Sequence, residues 1–171
     1  AQASTRYGEP RQIGGVTVTF RPAGHVPGSA QIAVERDGEV WVVSGDYKVE
    51  PDGLSEPFEP VRCHAFVSEC TFGLPVFRWA PQAEVMAGVN RWWAANAAQG
   101  RTSIIGAYAL GKAQRIMTGV DASIGPILTH GAVGASTAIL REQGYPLPPT
   151  VPVVAGVDAA SHPGDDRHRG G

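Results

Sequence analysis

Arg21-Pro-Ala-Gly-His25-Val-Pro-Gly-Ser29-Ala-Gln-Ile-Ala-Val-Glu-Arg36-Asp37-Gly38-Glu-Val-Trp-Val-Val-Ser44-Gly-Asp46-Tyr-Lys48 is the stretch on which the reading of the fold turns. Ala30 to Arg36 sets apolar Ile32 and Val34 between polar neighbours, Asp37-Gly38 is a tight-turn signal, and Val40 to Val43 is a buried-strand run. Two antiparallel strands joined by two residues bring their far ends side by side. The segment before the first strand, His25 to Ser29, and the segment after the second, Ser44 to Lys48, therefore share one rim. An imidazole and a carboxylate there are a nitrogen and an oxygen donor, the mixture that suits zinc or manganese. The carboxylate of Asp46 could also bridge two cations, which a two-metal phosphodiesterase site needs. Spacing alone allows a plainer arrangement, with a loop histidine bonded to backbone and an aspartate closing a turn.

Outward from the hairpin, Val16 to Arg21 reads as a preceding strand and Cys63 to Glu69 as a following one, joined by a solvated, Pro-rich connection from Pro51 to Pro60. The pattern changes after Gly73. Pro81 to Ala98 reads as a helix with Val85, Val89 and Trp92 on its apolar stripe, Pro81 in its first turn and Gly100 as its stop. Thr102 to Ala107 then reads as a strand, Lys112 to Thr118 as a short helix, Pro126 to Thr129 as a strand and Ala132 to Gln143 as a helix. Strand and helix alternating through short links argue a parallel sheet, so the fold class is α/β with a boundary between residues 74 and 81.

Composition bounds the function classes. The 171 residues are 43% hydrophobic and 18% charged, as in an ordinary globular protein. No apolar run approaches the ~20 residues that span a bilayer, and the opening residues lack a signal peptide's pattern, so a cytoplasmic location without membrane partners is expected. Acidic residues outnumber basic ones by 16 to 14, which argues against a protein that coats nucleic acid but not against one that grips it locally. Cys63 and Cys70 lack C-x-x-C spacing and read as reduced thiols. His64, beside Cys63, reads as a core residue, and His130 as a satisfied rim histidine or a substrate contact.

The motif P-A-G-H-x-x-G-S-A, followed by V-x-S-G-D-Y-K, resembles the third and fourth metal-ligand motifs of the metallo-β-lactamase-fold nucleases. S-E-C-T-F-G, from Ser68 to Gly73, resembles the first motif of their β-CASP branch, and G-K-A-Q-R, from Gly111 to Arg115, adds to the likeness. The resemblance runs from about Tyr7 to Thr150 and is strongest to the bacterial ligase-associated DNA exonucleases. It implies that residues 1–78 are the second half of an αββα metallo-β-lactamase sandwich, that residues 79–153 begin a β-CASP-type parallel α/β cap, and that residues 154–171 are an irregular tail. It further implies two divalent metal ions, zinc first with manganese or magnesium as alternatives. His25 would ligate one ion and Asp46 would bridge the two, while Glu69 would orient a histidine or share its proton. Lys112, Gln114 and Arg115 would contact DNA, and an ATP-dependent DNA ligase would be the partner.

Two expected motifs are missing: H-x-H-x-D-H, which supplies most of the metal shell, and a returning S-x-H-x-D-like segment. The chain therefore reads as an internal fragment, with a shifted frame near Ala155 as one explanation of its tail, and by itself it should not cleave nucleic acid. An RNA-processing nuclease of the same fold and a non-catalytic nucleic-acid-binding remnant are the alternatives. Gly106 to Ala113, G-x-x-x-x-G-K-A, is one residue short of a phosphate-binding loop: Ala113 stands where a Ser or Thr would hold magnesium.

Overall fold

The computed structural model describes residues 4–153, so the tail with His162 and His168 lies outside them. Strands β1 (Arg11–Ile13), β2 (Val16–Pro22), β3 (Ala30–Arg36), β4 (Glu39–Val43) and β5 (Ala65–Val67) form one sheet in sequential order. The first four are antiparallel, whereas β5 runs parallel to β4. Asp37 and Gly38 both take positive φ, 51° and 81°, so the expected hairpin closes through a two-residue turn that pairs Arg36 with Glu39. The sequence reading missed β1, although Gly14-Gly15, also at positive φ, carries the same signal. The expected strand from Cys63 to Glu69 shrinks to three residues. His64 extends its edge: it is exposed rather than core, its N–H donates to Val40 O at 2.8 Å and its Nδ1 accepts from Val40 N–H at 3.0 Å.

The two faces of this sheet differ. On one, Gln31, Ala33, Val42 and Ser44 are buried. Above them the connection after β4 returns with Tyr47, Phe58 and Glu59; the rings of Tyr47 and Phe58 lie 5.4 Å apart, and Glu59 pairs with Arg21 at 2.7 Å. On the other face, register aligns Val18 with Val34 and Trp41, and Phe20 with Ile32, Val43 and Val67. Every one of these is apolar, yet Ile32, Trp41, Val43 and Val67 are exposed.

The second half has helices α1 (Gln82–Ala97), α2 (Lys112–Gly119) and α3 (Gly131–Glu142), with β6 (Leu128–Thr129) and β7 (Val151–Pro152) as a short parallel pair around α3. The parallel β-α-β unit matches the expected alternation. Arg141 sets it up by donating to the carbonyls of Leu147 and Pro148, which turns the proline-rich run back toward β6. Two expectations fail here. Thr102 to Ala107 forms no strand and pairs with none among the described residues, and Ile104 is 85% exposed, because a parallel strand forms only against a neighbour. The stripe of α1 that packs is Gln82, Met86, Asn90 and Trp93, and of the expected stripe only Val89 is half-buried. Asn90 accepts from Asp121 N–H and donates to Gly119 O, Met86 lies against Gly119, and Trp93 lies against Gly125. Trp92 and Val85 remain exposed. The described residues thus form a mixed α/β structure of one five-stranded sheet, one strand pair and three helices.

Candidate functional site

The loop between β2 and β3 is built around Ser29. Its Oγ accepts from the N–H groups of His25 and Val26, at 3.1 and 3.2 Å, and its own N–H donates to Val26 O. At the loop's entry the chain passes so close to the strand exit that only glycine fits at position 24. A Cβ on Gly24, whose φ is +72°, would stand 2.2 Å from Lys48 O. Lys48 N–H in turn donates to Ala23 O at 2.9 Å, stitching the loop to the segment after β4.

This crossing puts His25 beside Asp46, Nε2 to Oδ2, at 3.7 Å. The shared rim expected from the hairpin is therefore present. A cation about 2.0–2.2 Å from each of two tetrahedral ligands holds them roughly 3.4 Å apart, so the pair is spaced for one shared ion and its donors suit zinc. Among the described residues no group of three or more His, Cys, Asp or Glu is placed to complete a shell. What fits is part of a site.

Glu69 follows β5, whose parallel pairing with β4 carries the carboxylate toward the same rim. Its Oε2 accepts from Thr71 N–H at 2.6 Å. The Thr71 backbone and hydroxyl hold the carboxyl below its ordinary range, and the charge of His25 adds to that lowering. Glu69 thus stands as an anion within electrostatic reach of His25, outside the His25–Asp46 pair itself.

The G-K-A-Q-R segment also comes to this loop. A Cβ on Gly111, φ +81°, would meet Val26 Cγ1 at 2.2 Å, so the start of α2 abuts the residue after His25. Its three polar residues do different things. Lys112 is exposed, with Nζ 4.8 Å above the Tyr108 ring. Arg115 is half-buried and donates from Nε to Gln82 Oε1 at 2.7 Å. Gln114 departs from the expected contact with DNA because it is fully buried: Oε1 accepts from Gly111 N–H, and Nε2 donates to Ala109 O and Thr137 Oγ1.

That arrangement also occupies the front of α2. Besides Gly111 N–H, those of Lys112 and Ala113 donate to Leu110 O and Tyr108 O, so they do not face a phosphate. With no strand before Gly106 and a buried Ala113, the phosphate-loop geometry does not form.

Lys48 was missed as a candidate, although the D-Y-K triplet marks it. Burial lowers its pKa, and the nearby Arg115 guanidinium lowers it further. Cys63 and Cys70 are both free. His130 caps α3, its Nδ1 accepting from Ala132 N–H at 3.4 Å. No helix of the described residues is long and apolar enough to cross a membrane.

No family model matches the chain. It is 29% identical over 134 residues to a "Probable DNA ligase" of Opitutus terrae, covering 77% of this chain and 13% of that protein. It is 31% identical over 112 residues to a ribonuclease of Thermus thermophilus, covering 65% of this chain and 26% of that protein. The chain therefore spans 13% of the length of one relative and 26% of the other. The two likenesses point to a nuclease-related family.

Proposed function

We propose that this chain is the part of a metal-dependent DNA exonuclease that supplies two metal ligands and the first part of a cap over the cleft. The single observation that carries the reading is the His25–Asp46 pair at 3.7 Å, formed by the loop and hairpin in which the metallo-β-lactamase motifs were read. The apolar, exposed face of the five-stranded sheet supports it as well, because a sheet face of that composition suits the inner layer of a sandwich. The relative named a DNA ligase supports association with ligation.

Divalent ions in such a site, zinc by donor chemistry, would lower the pKa of water and neutralise the scissile phosphate. The chain's own residues do the rest. His25 and Asp46 would hold the ion, and the Asp46 carboxylate, 71% exposed, would be open to a second one. Glu69 stays ionised and can take a proton from an incoming group or orient a histidine. Lys112 and Arg115 offer cationic donors to the phosphodiester backbone through their side chains. Gln114 and the first N–H groups of α2 hold the turn instead.

The test places the chain in a protein that completes the ligand set and measures hydrolysis of a DNA end. Asp46→Ala and His25→Ala should each lower the rate by at least a hundredfold, and a chelator should abolish it. Full activity in Asp46→Ala would overturn the assignment. A second reading, RNA hydrolysis, is favoured by the ribonuclease relative. Matched DNA and RNA substrates separate the two, since only RNA offers a 2′-hydroxyl to the cleft.

A further inference from the structure

The loop that carries His25 is gripped from outside by a cluster that no motif announces. Glu56, in the connection between β4 and β5, accepts from Gly28 N–H through Oε2 at 3.1 Å. Its other oxygen, Oε1, accepts a hydrogen bond from the Tyr145 hydroxyl, 89 residues further along, just after α3. Tyr7, before β1, donates its hydroxyl to Ser29 O at 2.9 Å. Ser29 is the residue whose Oγ holds the N–H groups of His25 and Val26.

Two routes thus converge on four residues. One runs from Tyr145 through Glu56 to Gly28, the other from Tyr7 through Ser29 to His25. Burial tends to raise the pKa of Glu56, but the bonds from Tyr145 and Gly28 prevail and hold the carboxylate below its ordinary value. Burial and the Glu56 carboxylate push the Tyr145 phenol well up. The phenol is therefore the donor and the carboxylate the acceptor at any physiological pH. A charged acceptor makes each of these bonds stronger than a neutral pair would be. Gly28 is at φ +79°, and its N–H bond to Glu56 adds an anchor at the far end of a loop that Ser29 organises from within and the Ala23–Lys48 crossing holds at its entry.

We propose that Glu56 and Tyr145 are positioning residues for His25, so that the second half of the chain sets how tightly the His25–Asp46 pair holds a divalent ion. The proposal rests on the metal-binding reading of that pair. Outer groups that fix a ligating histidine change metal affinity by about 10–100-fold when removed.

The experiment places the full 171-residue chain in the protein that completes the ligand set, with Zn²⁺ as the probe, by calorimetric titration against a competing chelator, together with amide hydrogen exchange. Tyr145→Phe, which removes one hydroxyl, is expected to weaken Zn²⁺ binding about tenfold. It should also speed exchange at His25 and Val26 while leaving the amides of β3 protected. Glu56→Ala should do the same, and Glu56→Gln, which still accepts from Gly28, should restore most of the affinity. Unchanged Zn²⁺ binding and loop exchange in both Tyr145→Phe and Glu56→Ala would overturn the proposal and leave the metal reading intact. Exchange that rises equally over the whole chain would reduce the cluster to a stability element and overturn it too. If the unaltered chain binds Zn²⁺ no better than His25→Ala, the metal reading itself falls, and positioning falls with it.

Discussion

The sheet half, Arg11 to Val67, and the helical half, Gln82 to Pro152, were read from the same sequence by the same rules and fared differently. In the first, β1 to β4 pair through successive hairpins that each close within 12 to 21 residues, and only β5 arrives by a parallel crossover. The alternation of Ile32 and Val34 and the Asp37-Gly38 turn suffice to fix the register that brings His25 to Asp46. In the second, the strand expected at Thr102 to Ala107 finds no partner, and its isoleucines face outward. Antiparallel pairing is local and completes itself, whereas parallel pairing needs a strand from elsewhere. The lesson is that the strand pairing that makes the rim is self-contained, although the His25 loop on it is also braced from the helical half at Gly111 and Tyr145.

The strongest way to break this contrast is at the crossing that makes the rim. Gly24→Ala would force a side chain into left-handed backbone and against Lys48 O. It should cost at least about 3 kcal/mol in denaturant unfolding. Gly111→Ala also puts a side chain into left-handed backbone, but against Val26 Cβ and Cγ1 rather than a carbonyl oxygen, and should cost somewhat less, about 2 kcal/mol. If Gly24→Ala were the milder of the two, the rim would not depend on the strand crossing, and the self-contained picture of the sheet half would be wrong.

How much was legible follows from the same physics. His25, Asp46 and Glu69 were found because each ends or precedes a strand in a recognisable motif, and turn chemistry then sets their places. Glu56 and Tyr145 were not, because a carboxylate in a proline-rich loop and a tyrosine after a helix reveal nothing until tertiary structure brings 89 residues of separation to hydrogen-bonding distance. The stripe of α1 was misread for a related reason. Apolar periodicity selects Val85, Val89 and Trp92, but hydrogen bonds from Gln82 to Asp52 O and from Asn90 to Gly119 O decide which side faces inward. Gln114 looked like a surface donor because polar residues on a short helix usually are, yet its amide closes the turn before α2.

A smaller effect sharpens the comparison inside the helical half. Gln114→Ala leaves Gly111 N–H and Ala109 O without their side-chain partner in a buried place, which should cost about 2–3 kcal/mol in thermal or denaturant unfolding. Lys112→Ala, two positions away and exposed, should change stability by less than about 0.5 kcal/mol. In a nuclease assay the order should reverse in kind: Lys112→Ala should weaken substrate binding in a folded protein. A Gln114→Ala protein as stable as the unaltered chain would return Gln114 to the list of substrate contacts.

The smallest effects test what the outward residues are for. Trp92→Ser and Ile104→Thr alter large apolar side chains that are exposed in this chain, so each should shift its unfolding free energy by no more than about 0.5 kcal/mol. Met86→Ala, on the packed side of the same helix against Gly119, should cost more than about 1 kcal/mol. Near-neutral outcomes at Trp92 and Ile104 would mean that their apolar character serves contacts this chain does not make by itself. The relatives, of which it spans 13% and 26%, are long enough to make such contacts. A loss above about 1 kcal/mol at Trp92 would instead turn α1 around its axis, with Val85 and Trp92 inward. The hydrogen bonds of Gln82 and Asn90 to the sheet half and to α2 would then have to break, and the helical half would be as self-contained as the sheet.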